Sequence, residues 1–533
     1  SRSHTGKNKR VASVKDTLCR LKSHRIDTMK TKTKLCWRAV LVLGCFICLA
    51  RTENERQDSP ASKSPDSTSP DATTTEPLIL TPYIKNGSYD TAKNMSKVEL
   101  FNTVANVTAY SGFITVNETW NSNLFFLFLV SEKNQSGAPV VLWTQGGPGL
   151  SALFGEFLQN GPLAYDLATN FTTARNNTLQ KIANVIYLDL PLGAGYSFTR
   201  NISGYSKSLH QITDDAITFL EQFFTLFPEY KSRDFYTAGE SYAARYSVSI
   251  ADRLLTSKNQ TLPSLKGVIG GNGFLGPILD LSDSTEFMFQ MSMLDESGRL
   301  NFSNQFQIMR MMALNQTLAP FVPLVLSQTI FTSTPPSLLQ NLTLYDDYMS
   351  PLITQRPLYV IACFMFLNTT TVRDALHIGP DVPFQYDNMN LLYSLAPDYL
   401  TNISDLVANV LENTSLLLYS GQLDKLFPAV NQRNYLLSLQ WKDAQTYNNS
   451  QRCPWRPRTW SDHDGFAGFL RQTDNFTDAL LLGMSHYGSA EKPDEMFYLM
   501  EEFIKNSSGV ENKILPEVEA VVQSRMNEIN SFM

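Results

Sequence analysis

Residues 235–246 read FYTAGESYAARY. An apolar run breaks into Gly239-Glu240-Ser241-Tyr242-Ala243 and continues as a helix-forming segment. A serine in a strained turn between a strand and a helix needs small residues two before and two after it, so that the two elements can cross closely. This spacing predicts a strand, a sharp turn and a helix, with Ser241 raised at the carboxyl edge of a sheet.

The surrounding chain extends that prediction. Short β-like runs at 139–143, 185–188 and 235–238 each end in glycine-rich or turn residues, with helical patterns between them, notably 214–227. Strands alternating with helices predict an α/β fold, a doubly wound and mostly parallel sheet. An antiparallel pair is expected earlier, at 108–116 and 124–130, flanking the polar stretch NETWNSN. A strand at 267–269 leads into GGNGFLGP, and residues 281–365 turn Met- and Leu-rich without the alternation, as an inserted helical cap would. Alternation is expected to resume near Val372, with strands at 416–419 and 479–482 and a helix at 493–505. The resulting division is 78–280 for the first part of the core, 281–365 for the cap, 366–508 for the second part and 509–533 for a tail.

Composition separates the first 77 residues from this body. Residues 1–38 carry twelve Lys/Arg against two Asp/Glu, so of 44 basic and 50 acidic residues, 32 and 48 remain downstream. A nucleic-acid binder needs a basic face, and none follows the leader. The chain opens on Ser, and from Met29 it reads as a basic segment, a twelve-residue apolar run at 39–50 and a cleavage candidate at Ala50. That is the pattern of a signal peptide within 1–50, and the apolar run is too short to span a bilayer stably. Residues 51–77, rich in Ser, Thr, Pro and acids, read as a disordered stalk. Eighteen Asn-x-Ser/Thr sequons, from Asn86 to Asn506, predict N-linked glycans and a secretory-pathway protein, extracellular or lysosomal. Four of the six cysteines fall in the leader, and the remaining pair, Cys363 and Cys453, is expected to form a disulfide in that oxidising compartment. No cysteine cluster has metal-ligand spacing, and neither a metal nor a cofactor is expected.

A serine nucleophile needs a base, and the base an orienting acid. On sheets bearing such an elbow the partners follow in the order Ser, Asp/Glu, His. His210 precedes the serine, His377 has no defensible acid before it, and His463 lies in the polar run SDHDG. His486 directly follows the apolar run ALLLGMSH, and Asp424 follows LLLYSGQL in the same manner. Ser241, Asp424 and His486 therefore fit by topology. In VVLWTQGGPGLSALFGEFLQNGPL, the glycines at a strand end let Gly146 and Gly147 turn amides toward an anion.

These segments resemble the serine carboxypeptidases of the α/β-hydrolase superfamily, most closely the vitellogenic-like carboxypeptidases. The resemblance runs from about Leu78 to Ile504 through LTPYIKNGSYDTA, LWTQGGPG, NVIYLDLPLGAGYSF, FPEYKSRDFYTAGESYA, GGNGFLGP, LNTTTVRDALHIG, YSGQLD and the region around His486. It implies an α/β-hydrolase fold and removal of C-terminal residues from peptides or proteins. It also implies a Ser241 nucleophile, a His486 base, an Asp424 orienter and oxyanion-hole amides from Gly147 and Tyr242. Four further positions, Gln145, Gly146, Gln159 and Glu240, would hold the substrate's terminal carboxylate. The chain departs from the family pattern in carrying Gln159 for Glu, Ala244-Arg245-Tyr246-Ser247-Val248 for Gly-Lys-Tyr-Val-Pro, Met484-Ser485 before the base, Ser489 for Pro and the apolar Leu190. Two alternatives stay open on the sequence: a homologue that binds peptides with weakened catalysis, and an acyltransferase using the same triad.

Overall fold

A computed structural model of the chain describes residues 76–132, 137–461 and 464–509. The leader, nearly all of the stalk, the sequon at Asn134, His463 and the tail after 509 lie outside these residues.

Thirteen strands are formed among the described residues: β1 (Ala109–Asn117), β2 (Ser122–Leu129), β3 (Val140–Thr144), β4 (Leu163–Asp166), β5 (Phe171–Ala174), β6 (Asn184–Leu188), β7 (Phe198–Thr199), β8 (Phe235–Glu240), β9 (Leu265–Gly271), β10 (Ser415–Gly421), β11 (Cys453–Trp455), β12 (Gly468–Gln472) and β13 (Phe476–Leu481). The main sheet runs β1-β2-β6-β3-β8-β9-β10-β13-β12-β11, with β7 beside β2, while β4 and β5 form a separate hairpin. From β6 to β13 the neighbours are parallel, and both flanks are antiparallel. The parallel strands are apolar nearly throughout because helices cover both faces.

The alternation of side chains along β2 shows the two layers. Leu124, Phe126 and Phe128 join one core, and Phe125, Leu127 and Leu129 join the other. The first core takes α1 (Leu209–Leu226) and α2 (Ala243–Thr256). Helix α1 starts where Ser208 Oγ accepts from the Gln211 amide, and it turns Ile212, Ala216, Phe219 and Phe223 to the sheet. That is the i, i+4, i+7 spacing of a buried helical stripe. The cap packs on the same side through α3 (Glu296–Ala313) and α4 (Val322–Ile330), which bury Phe302, Phe306, Leu326 and Ile330. The opposite core takes α5 (Leu358–Leu367) and the closing helix α7 (Pro493–Ser507), while α6 (Ser404–Asn413) lies on the first.

The helical stretch is longer than the sequence pattern indicated. Val372 lies on the short helix Thr370–Ala375, and no strand intervenes between β9 and β10, so the alternation resumes at Ser415. The predicted disulfide is also absent, since Cys363 and Cys453 are both free and buried. Cys363 sits on α5, whose Phe366 packs on Phe157 in the π-helix Gly155–Asn160 that follows β3. Cys453 opens β11 at the far end of the sheet, with five strands between β3 and β11. A disulfide needs Cα atoms within about 7 Å, a spacing this arrangement does not offer.

Candidate active site

Strand β8 runs into Ser241, which adopts a left-handed φ of 63°, and α2 begins two residues later. The strained backbone is held because the Ser241 amide donates to the Gly271 carbonyl at the end of β9, at 2.7 Å. The small flanking residues are required by space. A Cβ on Gly239 would lie 2.6 Å from the Ala243 carbonyl oxygen, and one on Gly146 would lie 2.6 Å from the Ser241 Cβ. Gly146, just past β3, therefore runs directly against the elbow, and Gly147 follows it with a left-handed φ of 114°.

The ends of β10 and β13 supply the next two groups. Asp424 is fully buried, and its Oδ1 accepts from the amides of Leu426 and Phe427 at 2.9 and 3.0 Å. Its Oδ2 lies 2.9 Å from His486 Nδ1, and His486 is 3% exposed. Two amides fix the carboxylate, and the carboxylate fixes the imidazole plane and its tautomer, with the proton on Nδ1 and Nε2 free to act. Burial alone would push the His486 pKa down, but the charge and hydrogen bond of Asp424, with Glu240 and Glu491, outweigh it and leave the pKa raised. Ser241 and His486 open onto one cleft of about 670 Å³, part of it open to solvent. Gln145, Gly146, Gly147 and Tyr242 also line it.

Behind the elbow, Glu240 is fully buried and receives four donors. Gln159 Nε2 donates to its Oε2 at 2.5 Å and Gln145 Nε2 at 3.3 Å. The Gly488 amide and the Tyr419 hydroxyl donate to Oε1 at 2.9 and 3.1 Å. Burial pushes the Glu240 pKa up, opposed by Gln159, His486, Gly488 and Tyr419. The structure thus brings Gln145, Gln159 and Glu240 into one hydrogen-bonded group beside Gly146 and Ser241.

The chain's own departures are built into this arrangement. Ser485 donates from its amide and hydroxyl to Glu491, at 2.6 and 2.5 Å, and the Tyr487 amide donates to the same carboxylate at 3.3 Å. Arg245 is fully buried under Tyr242 and Phe274, with Nη2 donating to the Thr401 carbonyl at 2.9 Å and 3.6 Å from Asp398. Asp398 also accepts from the Tyr242 hydroxyl at 3.2 Å. Sequence reasoning overlooked Glu491, Tyr419 and Asn272. Only Asn272 carried a visible signal, as an asparagine between glycines directly after an apolar strand.

The serine carboxypeptidase family model matches residues 100–506. The chain belongs to the serine carboxypeptidase family. Among its relatives, the venom serine carboxypeptidase of Apis mellifera is 33% identical over 446 residues, covering 81% of this chain and 91% of that protein. The probable serine carboxypeptidase CPVL of Homo sapiens is 32% identical over 433 residues, covering 80% and 90%. The vitellogenic carboxypeptidase of Aedes aegypti is 28% identical over the same length and coverage. The crystal structure of Kex1(delta)p, a prohormone-processing carboxypeptidase from Saccharomyces cerevisiae, aligns with a TM-score of 0.64 at 18% identity, covering 80% of this chain and 98% of that one. That likeness confirms the α/β-hydrolase fold of this serine carboxypeptidase. No helix among its described residues is long and apolar enough to cross a membrane.

Proposed function

We propose that this serine carboxypeptidase cleaves the last peptide bond of peptides and proteins through Ser241, His486 and Asp424. The observation that carries the assignment is the buried 2.9 Å pair of His486 and Asp424, opening onto the same cleft as Ser241. His486 Nε2 takes the Ser241 hydroxyl proton as Oγ bonds to the substrate carbonyl carbon, and amides of Gly147 and Tyr242 stabilise the oxyanion. His486 then protonates the leaving nitrogen, the C–N bond breaks, and the C-terminal residue departs. Water, deprotonated by His486, releases the acyl group and restores Ser241. Gln145, Gly146, Gln159 and Glu240 hold the substrate's terminal carboxylate. Product analysis on a blocked dipeptide with an added alcohol tests the reaction class. Hydrolysis gives the free C-terminal amino acid and a blocked acid, whereas an ester as the main product would make the chain an acyltransferase.

The cleft also specifies what side chain it accepts. Its walls beyond the reacting groups come from Phe274, Ile278, Leu326, Ile330, Phe331 and Phe427, and His486 is the one ionisable residue at acid pH among those lining it. A charged substrate side chain would lose its hydration there and meet no opposite charge beyond His486, the other polar residues of these walls being Ser282, Tyr348, Tyr399 and Tyr487. Dipeptides with Leu or Phe beside the scissile bond should show kcat/KM about 100-fold above their Lys or Glu counterparts. Equal values would remove these walls from side-chain recognition.

The sequons support a secretory-pathway location, extracellular or lysosomal, with N-linked glycans on the mature protein. Of those within the described residues, every asparagine is exposed except Asn506, which is half-buried. Such uniform exposure fits acceptor sites. Digestion with an N-glycosidase should lower the apparent mass of the protein from its native source by many kilodaltons, and an unchanged mass would place the protein outside that pathway.

A further inference from the structure

Residues Gly271 and Asn272, at the end of β9, touch all three loops that carry the proposed triad. The Gly271 carbonyl accepts from the Ser241 amide. The Asn272 amide donates to the Tyr419 carbonyl at 2.9 Å. Its side-chain Oδ1 accepts from the Gly421 amide at 2.7 Å, on the strand end leading to Asp424. Its Nδ2 donates to the carbonyls of Ser485 and His486 at 3.0 and 2.8 Å. One buried carboxamide therefore spans the gap between the acid loop and the base loop. Its acceptor and both of its donors are used.

The backbone at Asn272 supports a role beyond filling space. Its φ is 44°, in the left-handed region where glycine is least strained. Glycine would relieve that conformation, yet the position carries a side chain whose three hydrogen bonds all go to backbone groups of the two loops. No other side chain bonds the His486 carbonyl among the described contacts. Without the clamp, the loop after β13 would keep the Glu491 contacts and the bonds that residues 481–484 make to Gln422 and Leu423. It would lose the side-chain bonds to the carbonyls of Ser485 and His486 that link them to the Gly421 amide.

We propose that Asn272 is the positioning residue that sets the distance between His486 and Ser241, acting through the backbone of residues 485–486. The inference rests on the triad assignment above. It concerns the approach of the base and not the binding of substrate, because the contacts of Asn272 do not include Gln145, Gln159 or Glu240.

Asn272→Gly and Asn272→Asp separate the possibilities. Glycine suits the backbone but removes the clamp. Aspartate keeps an acceptor for the Gly421 amide but turns lone pairs toward two carbonyl oxygens. On one blocked dipeptide, with active sites titrated by a fluorophosphonate, Asn272→Gly should lower kcat about 30- to 100-fold with KM within threefold, and Asn272→Asp should lower it further. The fluorophosphonate labelling rate should fall in parallel. A kcat within threefold of the unsubstituted protein in Asn272→Gly overturns the inference. So does loss of the folded state in both variants, which would assign Asn272 to the fold. An unsubstituted chain that resists the fluorophosphonate overturns the triad assignment as well, whereas a reactive one with unaffected variants overturns only the role of Asn272.

Discussion

Ser241→Ala is expected to lower kcat on a blocked dipeptide by at least about 10⁴-fold, with KM little changed. The hydroxyl is the group that forms and breaks bonds, and no neighbouring side chain can replace it. Its backbone, by contrast, is held by the Gly271 carbonyl and by the start of α2, neither of which depends on the side chain. Alanine adopts φ near 63° at a similar cost to serine, so the elbow should survive the substitution. The terminal carboxylate would still meet Gln145, Gly146, Gln159 and Glu240, which keeps KM in place. A fluorophosphonate provides an independent reading. Its phosphorus is attacked by the activated oxygen and fluoride leaves, so the unsubstituted chain should be labelled stoichiometrically and Ser241→Ala not at all. Labelling that persists in the variant, or hydrolysis that falls less than tenfold, would move the nucleophile elsewhere.

Much of this site was legible in the sequence because its geometry depends on local chemistry. The elbow needs small residues at fixed offsets, and Gly239 and Ala243 stand there with their atoms in contact. The order of Ser241, Asp424 and His486 along three parallel strands follows from the alternation of apolar runs and helices. What could not be read was everything set by long-range packing. Nothing local marks Glu491 as the acceptor for the backbone around His486, or Tyr419 as a donor to Glu240. Helices continue past Val372, where the chain buries apolar residues in the opposite core, and an apolar segment of six to ten residues has no period that separates helix from strand. The disulfide failed for a related reason. Counting cysteines gives a partner but no distance, and the sheet holds Cys363 and Cys453 apart.

Two of the departures from the family pattern, Ser485 before the base and Arg245 on α2, have structural counterparts. A serine before the base adds a hydroxyl, and Glu491 accepts from it while also receiving the amides of Ser485 and Tyr487. Arginine on α2 stacks over Tyr242 and Phe274 and approaches Asp398, which in turn receives the Tyr242 hydroxyl. The Tyr242 amide belongs to the proposed oxyanion hole, so Arg245 braces that residue through its ring. Beside both changes, His486 stays paired with Asp424 at 2.9 Å and opens with Ser241 onto one cleft. This favours an active hydrolase over a peptide-binding relic.

Gln159 is the departure that should alter how activity depends on pH. In a pair of buried carboxyls a shared proton permits binding of the substrate's carboxylate, and repulsion between the two raises one pKa. Above that pKa both partners are charged and the substrate anion is repelled. Here Gln159 Nε2 sits 2.5 Å from Glu240 and remains a donor at any pH. Glu240 still titrates, and burial raises its pKa, so its protonated form is present at acid pH and is lost as pH rises through the raised value. The unsubstituted site therefore goes from neutral to one charge, with amide donors throughout. Gln159→Glu goes from one shared proton to two charges without the Gln159 donor. KM for a blocked dipeptide should accordingly rise more steeply in Gln159→Glu between roughly pH 5 and 7, approaching about tenfold per unit above the pair's upper pKa, and less steeply in the natural protein. The kcat profiles should stay alike, because the base is His486 in both. A KM that rises equally or less steeply in Gln159→Glu would exclude residue 159 from carboxylate recognition and leave Gln145 and Glu240 to hold the substrate's end.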